Sequence, residues 1–238
     1  MRKRRFILLC LPFFVLLLPM AIRAEIVVYD SITAFKRPVM LKALTKGIVF
    51  PKGGVLVHFF VNEKHIGKTL SGGDGYAFFK YIPTRYGVNT VSVKSTDESA
   101  EGSLLVARKR ETIVLVGIEG TIIESILSRE PRKGSVEGIR KIMGKYRVIY
   151  LTSMFGLDRS RKWLKGGSLP LSIILRWTGV DLLDELCDLG IKIIAIIGSA
   201  SLIEESSEHV KKRYSFDDTE NGIVVKDWNE LVKKLNVE

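Results

Sequence analysis

The sequence predicts two units of different class: an all-β sandwich over residues 25–108, then an α/β parallel sheet with helices on both faces over residues 112–238. Three observations carry this. Residues 25–106 are short apolar runs broken by turn residues, with no helical period. The charged joint Arg108-Lys109-Arg110-Glu111 follows. Beyond it, continuous apolar strands alternate with amphipathic helical stretches, as in a sheet covered on both faces.

The chain opens Met-Arg-Lys-Arg-Arg and is then apolar over residues 6–22, before Arg23-Ala24-Glu25. A basic start, an apolar centre and a small residue at the break describe a secretory signal peptide over residues 1–24, and so an exported, extracellular, periplasmic or cell-surface protein. A retained anchor over residues 6–22 is the alternative, and the membrane is expected to be met only there. The formal net charge is +11, and removing the five basic residues of this segment leaves +6, scattered. No basic, aromatic-interleaved patch for nucleic acid is present, and Lys211-Lys212-Arg213 reads as a solvated helix end. Of two cysteines, Cys10 lies in the leader, so Cys187 has no disulfide partner after cleavage. In Leu-Leu-Asp-Glu-Leu-Cys-Asp-Leu it is expected to be a small buried residue.

In the first half, strands are expected at 26–29, 39–44, 55–61, 76–81, 90–93 and 102–106. Turns are expected at Pro51-Lys52-Gly53-Gly54, Asn62-Glu63-Lys64, Gly72-Gly73-Asp74-Gly75 and Arg85-Tyr86-Gly87. His58 in a strand and His65 in a turn lack acidic or Cys partners at ligand spacing, so packing and solvent roles are expected. Gly67-Lys68-Thr69, Asp74-Gly75, the aromatic run 76–81, Pro83 and Gly87 come in an order that resembles bacterial and archaeal immunoglobulin-like domains.

In the second half, strands are expected at 113–116, 146–151, 171–175, 191–197 and 214–216. Helices are expected at 136–143, 158–164 with Asp158 as a cap, 181–189, 202–212 and 228–235. Ligand sites in such sheets lie at the carboxyl ends of the strands, which places Gly117, Thr152, Arg176 and Gly198 there.

Residues 114–122, Val-Leu-Val-Gly-Ile-Glu-Gly-Thr-Ile, resemble the first motif of the haloacid dehalogenase (HAD) phosphatase superfamily, an apolar strand running into Asp-x-Asp-Gly-Thr. Residues 148–153 resemble its second motif, and Ile196-Ile197-Gly198-Ser199 its fourth. Residues 159–164, Leu169-Pro170 and 174–176 resemble the lipin-type phosphatidate phosphatase branch. The resemblance implies an aspartyl nucleophile, a second acid for proton transfer, Mg²⁺, and a hydroxyl and a cation on the phosphoryl group. Gly117 stands at the nucleophile position, Glu119 at the second acid, Ser199 at the fourth-motif acid and Ile203 at a further acid. Thr152 keeps its hydroxyl and Arg176 is the cation available near the third position.

The resulting expectation is a catalytically inactive binding or interaction module needing no cofactor. Glu119 and Thr152 are remnant catalytic positions, and Gly120, Thr121, Ser153, Arg176, Gly198 and Ser199 are the ligand-binding set. Its partner would be a phosphate-bearing small molecule or an envelope protein. The alternative is an active Mg²⁺-dependent phosphatase on an ester such as phosphatidate. Asp217-Asp218 also imitates a fourth motif, which leaves two registers open at that end of the sheet.

Overall fold

The computed structural model describes residues 25–237, apart from residues 48, 49, 97, 126 and 129. The segment read as a signal peptide, residues 1–24, therefore lies outside the described residues.

Eight strands make the first half. β1 (Glu25–Val28), β3 (Val39–Lys46) and β6 (Tyr76–Tyr81) form an antiparallel sheet in the order β1-β3-β6. β2 (Ser31–Ala34), β4 (Leu56–Val61), β5 (Lys64–Leu70), β7 (Gly87–Lys94) and β8 (Ser99–Ala107) form a second, in the order β2-β8-β7-β4-β5. Its pairs are antiparallel except β2 with β8. The two sheets close on a core in which Leu41, Ala43 and Ala77 meet Val57, Phe59, Val91, Val93 and Leu104. Period-two alternation produces this. In β4, Val57, Phe59 and Val61 are buried while Leu56, His58 and Phe60 face outward. A buried side chain such as Phe59 contributes roughly 1.5–3 kcal/mol.

β2 and β5 fall where the sequence showed no strand. β5, Lys-His-Ile-Gly-Lys-Thr-Leu, is an edge strand with no fully buried residue, so it carries no apolar rhythm. Gly67-Lys68-Thr69 is accordingly strand rather than turn. Asn62 and Glu63, at φ 48 and 68, make the two-residue hairpin turn that joins it to β4. His65 then stands opposite Phe60 rather than in a turn, with its Nε2 3.3 Å from His58 Nδ1 across the pair.

The second half holds β9 (Thr112–Gly117), β10 (Arg147–Thr152), β11 (Ile174–Arg176), β12 (Lys192–Ile197), β13 (Arg213–Ser215) and β14 (Ile223–Val224) in one sheet. All pairs are parallel, in the order β11-β10-β9-β12-β13-β14. Side chains of β9 alternate between two cores. Val114 and Val116 pack with Ile139 and Ile142 of α1 (Ser135–Met143), Leu164 of α2 (Leu157–Gly166) and Trp228 and Leu231 of α5 (Trp228–Lys234). Ile113 and Leu115 pack with Leu183 and Leu186 of α3 (Val180–Asp188) and Ile203 of α4 (Ala200–Glu205). Both faces of the sheet are covered, which is why its strands are apolar throughout.

Three local expectations are corrected. Asp158 is not a cap: Gly156 is the N-cap residue of α2, without a side-chain bond, and Asp158 pairs with Lys162 at 2.7 Å. α4 ends at Glu205 instead of continuing to residue 212. The Ser206 hydroxyl donates to the Ile203 carbonyl there, and Arg213 donates to the carbonyls of Ser207 and Val210, fixing a non-helical return. Cys187 is exposed, because the apolar stripe of α3 is Leu182, Leu183 and Leu186.

The halves share packing and polar contacts. Ile32, Leu105 and Ala107 belong to the same cluster as the α3 face of the parallel sheet. Asp30, between β1 and β2, has a side chain only 1% exposed, and its Oδ1 lies 2.7 Å from Arg161 Nη2 of α2. Its carboxylate also accepts from Ser103 N at 2.7 Å and from Ile174 N at 2.8 Å. Arg161 also donates to the Val28 carbonyl at 3.0 Å, and Arg37 donates to the Asp188 carbonyl at the end of α3 at 2.9 Å. Burial pushes the Asp30 carboxyl above the usual aspartate range, and Arg161 with the two amides pulls it back without reversing the direction.

Removing Arg161 leaves Asp30 buried with no cation, so Arg161→Met is expected to cost about 3–5 kcal/mol in urea unfolding. An acid whose folded pKa is raised holds its proton more tightly in the folded state. Its contribution is therefore complete in acid and lost as pH rises from the ordinary aspartate range through the raised value. The deficit of Arg161→Met is expected to be larger near pH 7 than near pH 4, with unfolding measured at both.

Candidate functional site

The site is built where the parallel strands end. β9 stops at Gly117 and the chain turns through Ile118, Glu119, Gly120 and Thr121. The amides of Ile122 and Ile123 both donate to the Ile118 carbonyl at 3.0 Å, closing this turn. Arg132 clamps it from outside. Its backbone amide donates to the Ile122 carbonyl at 2.6 Å, its Nε to Thr121 O at 3.3 Å and its Nη2 to Gly120 O at 3.5 Å. The guanidinium also lies 4.8 Å over the Phe216 ring.

Glu119 reaches from this turn to the loop after β10. Its Oε1 accepts from Thr152 Oγ1 at 2.7 Å, Phe155 N at 2.9 Å and Met154 N at 3.2 Å. Its Oε2 accepts from Ser153 N at 3.3 Å. One carboxylate thus takes a hydroxyl and three successive backbone amides, the arrangement by which loops hold anions. Thr152 is fixed in turn by Ser160, whose hydroxyl donates to it at 3.2 Å.

The turn places the other predicted residues nearby. Thr121 is fully buried and its hydroxyl has no partner among the described residues. A Cβ on Gly117 would lie 3.4 Å from that hydroxyl and 3.5 Å from Gly198 Cα, so a side chain could begin there in ordinary contact. Gly120 has φ +75, and a Cβ on it would come within 2.9 Å of Ser199 Cβ and 3.7 Å of Asp217 Oδ2. Ser199, after β12, and Asp217, after β13, therefore both face the turn at Gly120, and the two registers left open by the sequence describe neighbours. The Ser199 hydroxyl lies 3.2 Å from that of Ser201.

Arg176 ends β11, one strand from Thr152 in register. It is exposed and lines a cavity of about 220 Å³ that it shares with Thr152, Phe155 and Arg159. It also lines a cavity of about 710 Å³ between the halves, beside Tyr29 and Lys42. The Tyr29 hydroxyl is pushed up to about 12 by burial and by its Tyr76 neighbour, and Arg176 opposes the shift. Ile203 is core, and Glu205 accepts from the Trp177 indole at 2.6 Å. Among the described residues no three His, Cys, Asp or Glu side chains converge in a metal-binding group.

Thr152, Glu119, Gly120, Thr121, Ser153, Gly117, Gly198 and Ser199 are thus gathered at the ends of β9, β10 and β12, with Arg176 to one side. The sequence did not point to the amides of Met154 and Phe155, to Ser160 or to the Arg132 clamp. Backbone donors leave no trace in residue identity. Arg132 was visible only as a basic residue between Pro131 and a helix start.

No model of a known protein family matches the chain, and no curated protein matches it. Solved structures match parts of it. The D0-D1 domain of intimin is 13% identical, over 38% of this chain and 56% of its own, with a TM-score of 0.31. The D00-D0 domain of intimin is 14% identical, over 34% of this chain and 43% of its own, with a TM-score of 0.28. The CARDB domain of PF1109 from Pyrococcus furiosus is 15% identical, over 35% of this chain and 92% of its own, with a TM-score of 0.27. The chain thus spans about half the length of the intimin fragments.

The absence of any matching family model corrects the HAD assignment and its lipin-type branch. Strands outnumber helices 14 to five among the described residues. Apolar strands are what any covered parallel sheet requires, and the acids that would distinguish the family are absent at residues 117 and 199. The parallel α/β sheet stands without that family.

Gly117→Ala is expected to be neutral or slightly stabilising in urea unfolding. Gly120→Ala is expected to cost about 1–2 kcal/mol from its left-handed backbone, with the Ser199 contact adding to it. Glu119→Ala strips the 152–155 loop of its acceptor and is expected to cost about 1–3 kcal/mol.

Proposed function

We propose that this is an exported, non-catalytic binding or interaction module whose ligand region is the carboxyl end of the parallel sheet, with a phosphate-bearing or other small anion as the ligand class. The observation that carries this is the state of Glu119. Its carboxylate takes four donors and holds the 152–155 loop, so in this structure it serves the protein's own backbone as an acceptor. Gly117 beside it offers no nucleophile. What this end of the sheet presents is amides and hydroxyls, the groups that bind oxyanions. Export rests on the basic and apolar pattern of residues 1–24; among the described residues no helix is long and apolar enough to cross a membrane.

The test is turnover. Purified protein with Mg²⁺ is expected to hydrolyse neither an aryl phosphate nor phosphatidate above the level of Glu119→Gln prepared in parallel. Turnover present in the wild type and lost in Glu119→Gln would replace this reading with an enzymatic one.

A further inference from the structure

We propose that the Glu119 carboxylate is the internal occupant of an anion cradle formed by Thr152 and the amides of Ser153, Met154 and Phe155, and that an external oxyanion binds there only by displacing it. The inference rests on the anion-binding reading above and adds how that site is regulated.

Three consecutive amides and a hydroxyl converge on one carboxylate at 2.7–3.3 Å. Such a set of donors recognises charge and oxygen geometry, not the covalent attachment of the anion. The carboxylate that fills it arrives from a different strand, 33 to 36 residues away in sequence. Donors and occupant therefore come from different parts of the chain.

The rest of the region is arranged for exchange. The backbone under Glu119 is fixed by Arg132 and by the turn at Ile118, so the carboxylate can leave the cradle by side-chain rotation while its own turn stays in place. Beside the turn, the fully buried Thr121 hydroxyl has no partner among the described residues. On the other side, the 220 Å³ cavity shares Thr152 and Phe155 with the cradle. Lys46, Arg159 and Arg176 line it, against the acids Glu25 and Asp158. That cavity gives a phosphate monoester somewhere to place its remainder while its phosphoryl oxygens take the donors.

A tethered competitor lowers apparent affinity by the fraction of time the cradle is empty. Its effective concentration is of millimolar order for a short connection. The wild type should therefore bind inorganic phosphate weakly, and removing the carboxylate should tighten binding at least about tenfold.

The experiment titrates inorganic phosphate into the full-length protein, with chloride at matched ionic strength as the control. Binding is followed through the amide resonances of Ser153, Met154 and Phe155 and through the melting temperature. In Glu119→Ala, phosphate is expected to shift those amides at a concentration at least about tenfold lower than in the wild type, and to restore melting temperature lost to the mutation. If Glu119→Ala does not fold, Glu119→Gln carries the same comparison, because it keeps the side chain's volume and one oxygen acceptor while losing the charge. Equal phosphate affinity with and without the carboxylate overturns the displacement proposal and leaves the anion-binding reading standing. No binding to wild type or variants overturns both.

Discussion

The buried carboxylate of Asp30 is the constraint on which the arrangement of the molecule turns. β11 is the last strand of the parallel sheet on its side, and its outward amides need acceptors that no further strand supplies. Asp30 accepts from Ile174 of that edge, from Ser103 of the sandwich and from Arg161 of α2 at once. A side chain of the first half thus ends the sheet of the second. Removing a carboxylate from water is costly, and only this full set of donors makes the burial tolerable.

The site follows from the same sheet. Parallel strands covered on both faces leave their carboxyl ends as the place where loops meet, and here the loops after β9, β10, β12 and β13 converge. Glu119 is held by amides that point together because the chain leaves β10 in a tight turn before α2, with Ser160 of that helix steadying Thr152. The chemistry of this end is therefore set by backbone geometry as much as by side chains.

Much of this was legible in the sequence, and the limits have physical causes. Buried strands such as 113–116 and 191–197 could be read because burial on both faces demands continuous apolar residues. β5 could not, since an exposed edge strand needs no apolar face. Cys187 was misplaced because its neighbours Leu183 and Leu186 fill the buried stripe of α3 and leave it on the solvent side. Gly117, Thr152, Arg176 and Gly198 were expected at strand ends, and they stand there, because continuous apolar strands fix where a covered sheet ends. The family suggested by the motif around Gly117 does not stand, because apolar strands meet the needs of any covered sheet and the distinguishing acids are absent. Asp30 went unremarked because its partners lie 73 to 144 residues away.

The Asp30 clasp also bears on how freely the two halves can be exchanged with other proteins. A foreign sandwich grafted before residue 112 would bring its own core but no acceptor for the Ile174 amide and no anion for Arg161. The parallel sheet would then present a bare edge and an unneutralised guanidinium to whatever chain came next, and edge-to-edge association would compete with correct docking. The halves have different architectures, yet they form a matched pair: a recombinant that keeps one must also keep, or rebuild, the residue that completes the other.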